Sequence, residues 1–154
     1  MSNKIYRSCV GMMIINNQKE ILVGKRIDHP SGYWQMPQGG IDENENPEEA
    51  VWREMMEEIG TNKAKLIRVS NQWINYDIPA DTLKKLPWGH KYKGQTQKWY
   101  IMRFLGNDNE INLKTKRPEF FEWKWINIEN ITDKVVDFKL HVYEKIKQEL
   151  KNLI

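Results

Sequence analysis

Apolar and polar residues follow two rhythms along this chain. Val10 to Ile15 and Glu20 to Ile27 are apolar, largely β-branched runs separated by the polar stretch Asn16-Asn17-Gln18-Lys19, which predicts a β-hairpin. Residues 28 to 46 are dense in turn formers, including Pro30, Ser31, Gly32, Pro37, Gly39, Gly40 and Asn44, and predict an ordered loop around a short strand at Trp34-Gln35-Met36. The rhythm then becomes helical. Asn46 suits an N-cap, Pro47 the first helical position, Glu49 completes an Asn-x-x-Glu capping box, and Gly60 is the stop. Three more strands are predicted at Lys65 to Ile74, Gln97 to Leu105 and Glu122 to Ile128. Residues 77 to 96, with Pro79, Pro87, Gly89 and Gly94, read as a long loop of the kind that is more often functional than idle. After Thr132, a plausible N-cap, Val135, Phe138, Val142, Ile146 and Leu150 recur at intervals of three and four and predict an amphipathic helix. Short strands and separated helices suggest a mixed sheet with helices packed against it, without repeats or low-complexity segments.

At 154 residues the chain has the length of one domain, 1–154, with a core expected over about 6–150. It carries neither an apolar stretch of membrane-spanning length nor a secretory signal, so a soluble, cytoplasmic protein is expected. Its single cysteine, Cys9, cannot form an internal disulfide and lies in an apolar run where a buried, inert thiol is expected. The net charge of +3 conceals an uneven distribution. Residues 40 to 60 hold eight acids and one base, Arg53, so that segment carries −7 and the rest of the chain +10. An acidic island in a basic protein suits a polyanionic ligand held through cations, although charge alone is equally met by solvated surface.

The island lies on the predicted helix. At about 100° per residue, Val51, Trp52, Met55, Met56 and Ile59 share one face, which is expected to pack on the sheet. Glu54, Glu57 and Glu58 emerge together from the other. On an open surface such a trio is an ordinary solvated face, braced by Arg53 to Glu57 or Glu49. In a cleft each pair would repel by ~3 kcal/mol at 6 Å in an effective dielectric of 20, and a cation is needed. Carboxylate oxygens select hard ions, Mg²⁺ or Mn²⁺, which also take phosphate oxygens.

The spacing is more specific than the charge. Gly39, Glu45 and the run Arg53-Glu54-Met55-Met56-Glu57-Glu58-Ile59-Gly60-Thr61 resemble the Nudix box, here residues 39–61, with Met55 and Thr61 standing where aliphatic residues are usual. The resemblance implies an α/β fold, the Nudix α/β/α sandwich with a mixed sheet and a strand-loop-helix catalytic module. It also implies that Glu54, Glu57 and Glu58 bind divalent metal, that Arg53 orients them, that Glu45 braces the loop, and that Gly39 and Gly40 let the backbone pass close to phosphates. Water polarised by the metal and deprotonated by a carboxylate would attack phosphorus. Which glutamate is the base stays open.

Outside the box, Tyr33-Trp34-Gln35-Met36-Pro37-Gln38-Gly39-Gly40, Gly94-Gln95-Thr96-Gln97-Lys98-Trp99-Tyr100, and Pro118-Glu119-Phe120 with Trp123-Lys124-Trp125 are similar to the branch of RNA pyrophosphohydrolases and dinucleoside polyphosphate hydrolases. That resemblance implies a fourth carboxylate, Glu119, as metal ligand or base. Arg26 and Lys139 match the branch too and are read as polyphosphate contacts; Tyr76 and Phe138 are read as walls for a stacked base or, equally, as core. Trp88-Gly89-His90-Lys91-Tyr92-Lys93 interleaves bases and aromatics, as a single-strand site or a mobile lid would. The expected reaction is removal of pyrophosphate from 5′-triphosphorylated RNA to leave a 5′-monophosphate and promote decay. The alternative substrate is diadenosine tetraphosphate, and a third reading is a Nudix-like module that binds RNA or nucleotide without catalysis. Cleansing of damaged nucleoside triphosphates has no feature in its favour.

Overall fold

The computed structural model describes residues 5–27, 33–116 and 118–153, so the turn formers Pro30, Ser31 and Gly32 lie outside the described residues. The sheet is organised around its two longest strands, β1 (Ile5–Ile15) and β6 (Tyr92–Phe104), which run parallel in register from Tyr6 against Gly94 to Ile15 against Arg103. β4 (Ala64–Val69) and β5 (Ile74–Asp77) add antiparallel to the far edge of β6. On the other side follow β2 (Glu20–Arg26) and then β7 (Phe120–Asn127), antiparallel to one another. The apolar run that opens the sequence is therefore the centre of the sheet and is covered on both faces. Val10, Met12 and Ile14 alternate with Met13 and Ile15, and the two sets enter two separate cores. The first core lies under α1 (Pro47–Ile59) and the second under α3 (Leu140–Leu153), which gives the three layers of an α/β/α sandwich.

The predicted hairpin is zipped only at its turn, where Ile15 pairs with Ile21. Beyond it the strands part and residues 35–40 are wedged between them. Gln35 exchanges both backbone hydrogen bonds with Gly24, Met12 N–H donates to Pro37 O at 2.9 Å, and β3 (Gln38–Gly40) pairs antiparallel with Cys9, Val10 and Gly11. The strand expected at Trp34-Gln35-Met36 is thus displaced to Gln38–Gly40, because the free edge of β1 lies there. The wedge carries the acidic loop into the middle of the sheet, directly ahead of α1.

Other boundaries shift for local reasons. The strand predicted over Lys65 to Ile74 is broken at Ser70, whose hydroxyl accepts from Trp99 N–H and donates to Gln72 O, turning the chain between β4 and β5. β6 begins at Tyr92 because the start of β1 pairs with it, which leaves the 77–96 loop with only the short α2 (Ala80–Leu83). Thr132 does not cap the last helix. The chain there makes turns, Lys134 O accepts from Trp34 N–H, and a 3-10 turn at Asp137–Lys139 leads into α3. Val135, Val142, Ile146 and Leu150 all enter the same core nonetheless.

The start of α1 is as read. Asn46 accepts from Glu49 N–H at 2.9 Å, Glu49 accepts from Asn46 N–H at 3.0 Å, and Gly60 closes the helix in the left-handed region at φ 73°. Its buried face is rotated from the expected one. Ala50, Glu58, Val51, Met55 and Ile59 form it, whereas Trp52 is half-buried and Met56 is turned out to solvent. Glu58 therefore lies in the middle of the packed face. Cys9 is buried as expected, and burial pushes its thiol up to about 11, which leaves it protonated and inert.

Because both halves of the capping box are made, Asn46→Ala should lower the unfolding free energy by ~1 kcal/mol. Urea denaturation measures this, and an unchanged midpoint would mean that the helix start is held by packing alone.

Candidate functional site

Arg53 projects from the middle of α1 into the loop that precedes it and gathers four carboxylates. Its Nε and Nη2 donate to the two oxygens of Glu45 at 2.7 and 2.8 Å, in the bidentate geometry that suits a guanidinium. Nη1 donates to Glu54 at 2.9 Å and Glu57 at 3.0 Å, Nη2 also reaches Gly40 O at 2.9 Å, and Asp42 lies 3.4 Å from Nε. Glu45 in turn accepts from Asp42 N–H at 2.9 Å, so one ion pair ties loop to helix. Arg53 lowers the Glu45 carboxyl below its ordinary value. The sequence placed Arg53 with Glu57 or Glu49; Glu49 is taken by the capping box instead.

The glutamates of α1 differ sharply in setting. Glu57 is half exposed. Glu54 is nearly buried, and burial raises its carboxyl to about 7, opposed by Arg53 and assisted by Glu57 and Glu119. Glu58 is 3% exposed, and burial raises it well above the ordinary range, with Glu54 and Glu119 adding repulsion. Its Oε2 is buried and has no hydrogen-bond partner among the described residues. Glu119, from the loop ahead of β7, lies 3.6 Å from Arg26 at the end of β2. Strand β7 brings Glu119 there by pairing Arg26 with Phe120.

Gly39 is demanded by this crowding. A Cβ on it would stand 2.0 Å from the Glu54 carboxylate, and one on Gly40 would stand 2.1 Å from Nη2 of Arg7. Both glycines allow close approach, and in this structure the approach is to charged side chains.

Most of these groups, though neither Glu45 nor Glu58, line a cavity of about 510 Å³. Its lining includes the carboxylates of Glu54, Glu57 and Glu119, the cations Arg7, Arg26, Arg53 and Lys139, and the rings of Tyr76, Phe138 and Trp88. Lys139 is 7% exposed, with Nζ 3.3 Å from the side-chain oxygens of both Gln35 and Gln38. Tyr76 is buried, its hydroxyl bonded to Gln95 and Gln38, and its ring stacks on Phe138 at 5.9 Å, so it serves as both core and cavity wall. Of the run from Trp88 to Lys93 only Trp88 reaches the cavity, where Arg7 lies 4.8 Å over its ring. Arg7 itself escaped the reading from sequence, because the polar first half of β1 shows no strand pattern and is a strand only by pairing with β6.

Among the described residues no three carboxylates converge closely enough to enclose a cation as they stand. Arg53 draws Glu54 and Glu57 to itself. The donor set nonetheless fits a hard divalent ion: it is all oxygen, it includes an orphaned buried carboxylate oxygen on Glu58, and its members repel one another across a cleft.

A sandwich with a loop-helix acidic module wedged into its sheet is the architecture of one family. Residues 5–146 match the model of the NUDIX domain, and the chain belongs to the Nudix family. Over 148 residues it is 50% identical to the RNA pyrophosphohydrolase of Pelagibacter ubique (strain HTCC1062), covering 96% of this chain and 93% of that one. It is 47% identical over 145 residues to the RNA pyrophosphohydrolase of Rhodospirillum rubrum, covering 94% and 87%. The crystal structure of the MutT protein from Methanosarcina mazei Go1 shares the fold with a TM-score of 0.72 at 20% identity, over 98% of this chain and 99% of that one. No helix among the described residues is long and apolar enough to cross a membrane.

A carboxyl raised on folding keeps a proton that the unfolded chain has released. Stability attributable to Glu54 is therefore greatest below about 4.5, falls as pH rises, and levels off above about 7. Glu54→Gln mimics the protonated form. In chelator it should match the parent near pH 4.5 and melt several degrees higher above pH 7; coincident melting curves across that range would show that Arg53 offsets the burial.

Proposed function

We propose that this chain is a cytoplasmic RNA 5′ pyrophosphohydrolase, removing pyrophosphate from 5′-triphosphorylated RNA and leaving a 5′-monophosphate. The observation that carries the reading is one cavity lined by carboxylates together with cations and aromatic rings, in a chain half identical to an RNA pyrophosphohydrolase over nearly its whole length. A polyphosphate needs both sets of residues: carboxylates to hold the cations that neutralise its charge, and basic and aromatic side chains to contact phosphate and base.

Glu54, Glu57, Glu58 and Glu119 would hold Mg²⁺ or Mn²⁺. Bound there, a divalent ion lowers the pKa of water and neutralises charge on phosphate oxygens. The chain's own residues do the rest. Arg53, clamped by Glu45, keeps Glu54 and Glu57 aimed at the cavity, and Gly60 ends the helix. Arg26 and Lys139 receive the polyphosphate, and Gly39 and Gly40 keep the floor low enough for it. One of these carboxylates accepts the proton of the attacking water. Phe138, backed by Tyr76, offers its ring to a nucleobase.

The deciding assay supplies Mg²⁺ with either 5′-triphosphorylated RNA or diadenosine tetraphosphate and compares kcat/KM. Preference for RNA, with pyrophosphate or successive orthophosphates released, is expected. Preference for the dinucleotide would make this a metabolite hydrolase, and tight binding with no metal-dependent release would make it a binding module. In the same assay Glu57→Gln should melt like the parent and lose ~10² or more in kcat/KM. Unchanged turnover would remove Glu57 from the site.

A further inference from the structure

Beside Lys139 lies a set of buried amides: Gln38 and Gln95 line the cavity, and Gln97, only 1% exposed, does not. Buried amides are tolerated when every donor meets an acceptor, and here the bonds run in one direction. The chain starts at Trp99. Its indole N–H can only donate, and it donates to Oε1 of Gln97 at 3.0 Å. The amide of Gln97 is thereby turned so that Nε2 donates to Oε1 of Gln38, also at 3.0 Å. That same oxygen of Gln38 is 3.3 Å from the Lys139 ammonium, while Nε2 of Gln38 donates to Gln95 at 3.2 Å.

The order cannot be reversed locally. If Gln38 turned over, its NH₂ would face both the NH₂ of Gln97 and the ammonium of Lys139, placing donors against donors. If Gln97 turned over, its NH₂ would face the indole N–H. Lys139 stands on a flexible four-carbon stem, so where its ammonium rests depends on the acceptors that surround it. One of those acceptors is oriented by residues that do not line the cavity.

We propose that Gln97, itself oriented by Trp99, is a positioning residue for substrate binding: by donating to Gln38 it keeps that side chain's oxygen turned to Lys139 and so holds the ammonium at the polyphosphate. The proposal rests on the reading of Lys139 as a polyphosphate contact. It separates residues that touch substrate from residues that act one and two hydrogen bonds behind it, on a strand at the centre of the sheet.

The test is a double-mutant cycle with Gln97→Met, which keeps length and volume but cannot donate to Gln38, and Lys139→Met. Steady-state kinetics with a 5′-triphosphorylated dinucleotide and Mg²⁺ should show KM raised about tenfold by Gln97→Met, kcat nearly unchanged, and a melting temperature within a few degrees of the parent. In the Lys139→Met background the same substitution should add almost nothing, because the group it positions is gone. Losses that add in full, or a loss in kcat alone, would assign Gln97 a merely structural role and overturn the proposal. An unchanged KM in Lys139→Met by itself would overturn it at the earlier step, the role of the lysine. If Gln97→Met melts too readily to assay, Trp99→Phe removes the orienting donor instead. It should raise KM about threefold in the parent and have no such effect with Lys139→Met.

Discussion

The ion pair between Arg53 and Glu45 is the constraint on which the site depends. It joins a loop and a helix that would otherwise be set independently, and its bidentate geometry fixes the guanidinium plane. The remaining donors of that plane then determine where Glu54, Glu57 and the Gly40 carbonyl lie. Removing Arg53 would cost more than its pair with Glu45 contributes, since the carboxylates it gathers would be left uncompensated. Loop and helix are in this sense a single unit.

That unit is brought into the sheet by an interruption of its most regular element. β1 and β2 start as a hairpin and are forced apart by residues 35–40, which satisfy the backbone groups that the hairpin leaves open. The same insertion aligns Gln35 and Gln38 with Lys139 on one side and Gly39 with Glu54 on the other. A few residues of wedge therefore place both the glutamine acceptors of Lys139 and the glycine that lies against Glu54. The turn before α3 then buries Lys139 against the amides of Gln35 and Gln38.

The Nudix box was legible from sequence because its function is encoded locally. Asn46, Pro47, Glu49 and Gly60 define a helix through hydrogen bonds that reach no further than four residues, and Arg53, Glu54, Glu57 and Glu58 are related by the helical repeat. Local encoding also accounts for what the reading misassigned. The hydrophobic pattern predicted Met56 on the packed face and Glu58 on the open one, yet the sheet meets the helix on the side of Ala50, Val51 and Glu58. Periodicity gives a helix's faces and leaves its rotation to the partner.

By itself the sequence determined the start, end and caps of the acidic helix and the spacing of its glutamates, which follow from short-range rules, while the sandwich was implied by the resemblance of that spacing to a known family. Only the tertiary structure decided that β1 pairs parallel with β6, that the short strand lies at Gln38 and not at Trp34, that Arg7 joins the cavity, and that Lys139 is buried against glutamine oxygens. Each of these depends on a partner distant in sequence, and the side chain carries no mark of it until the sheet has formed.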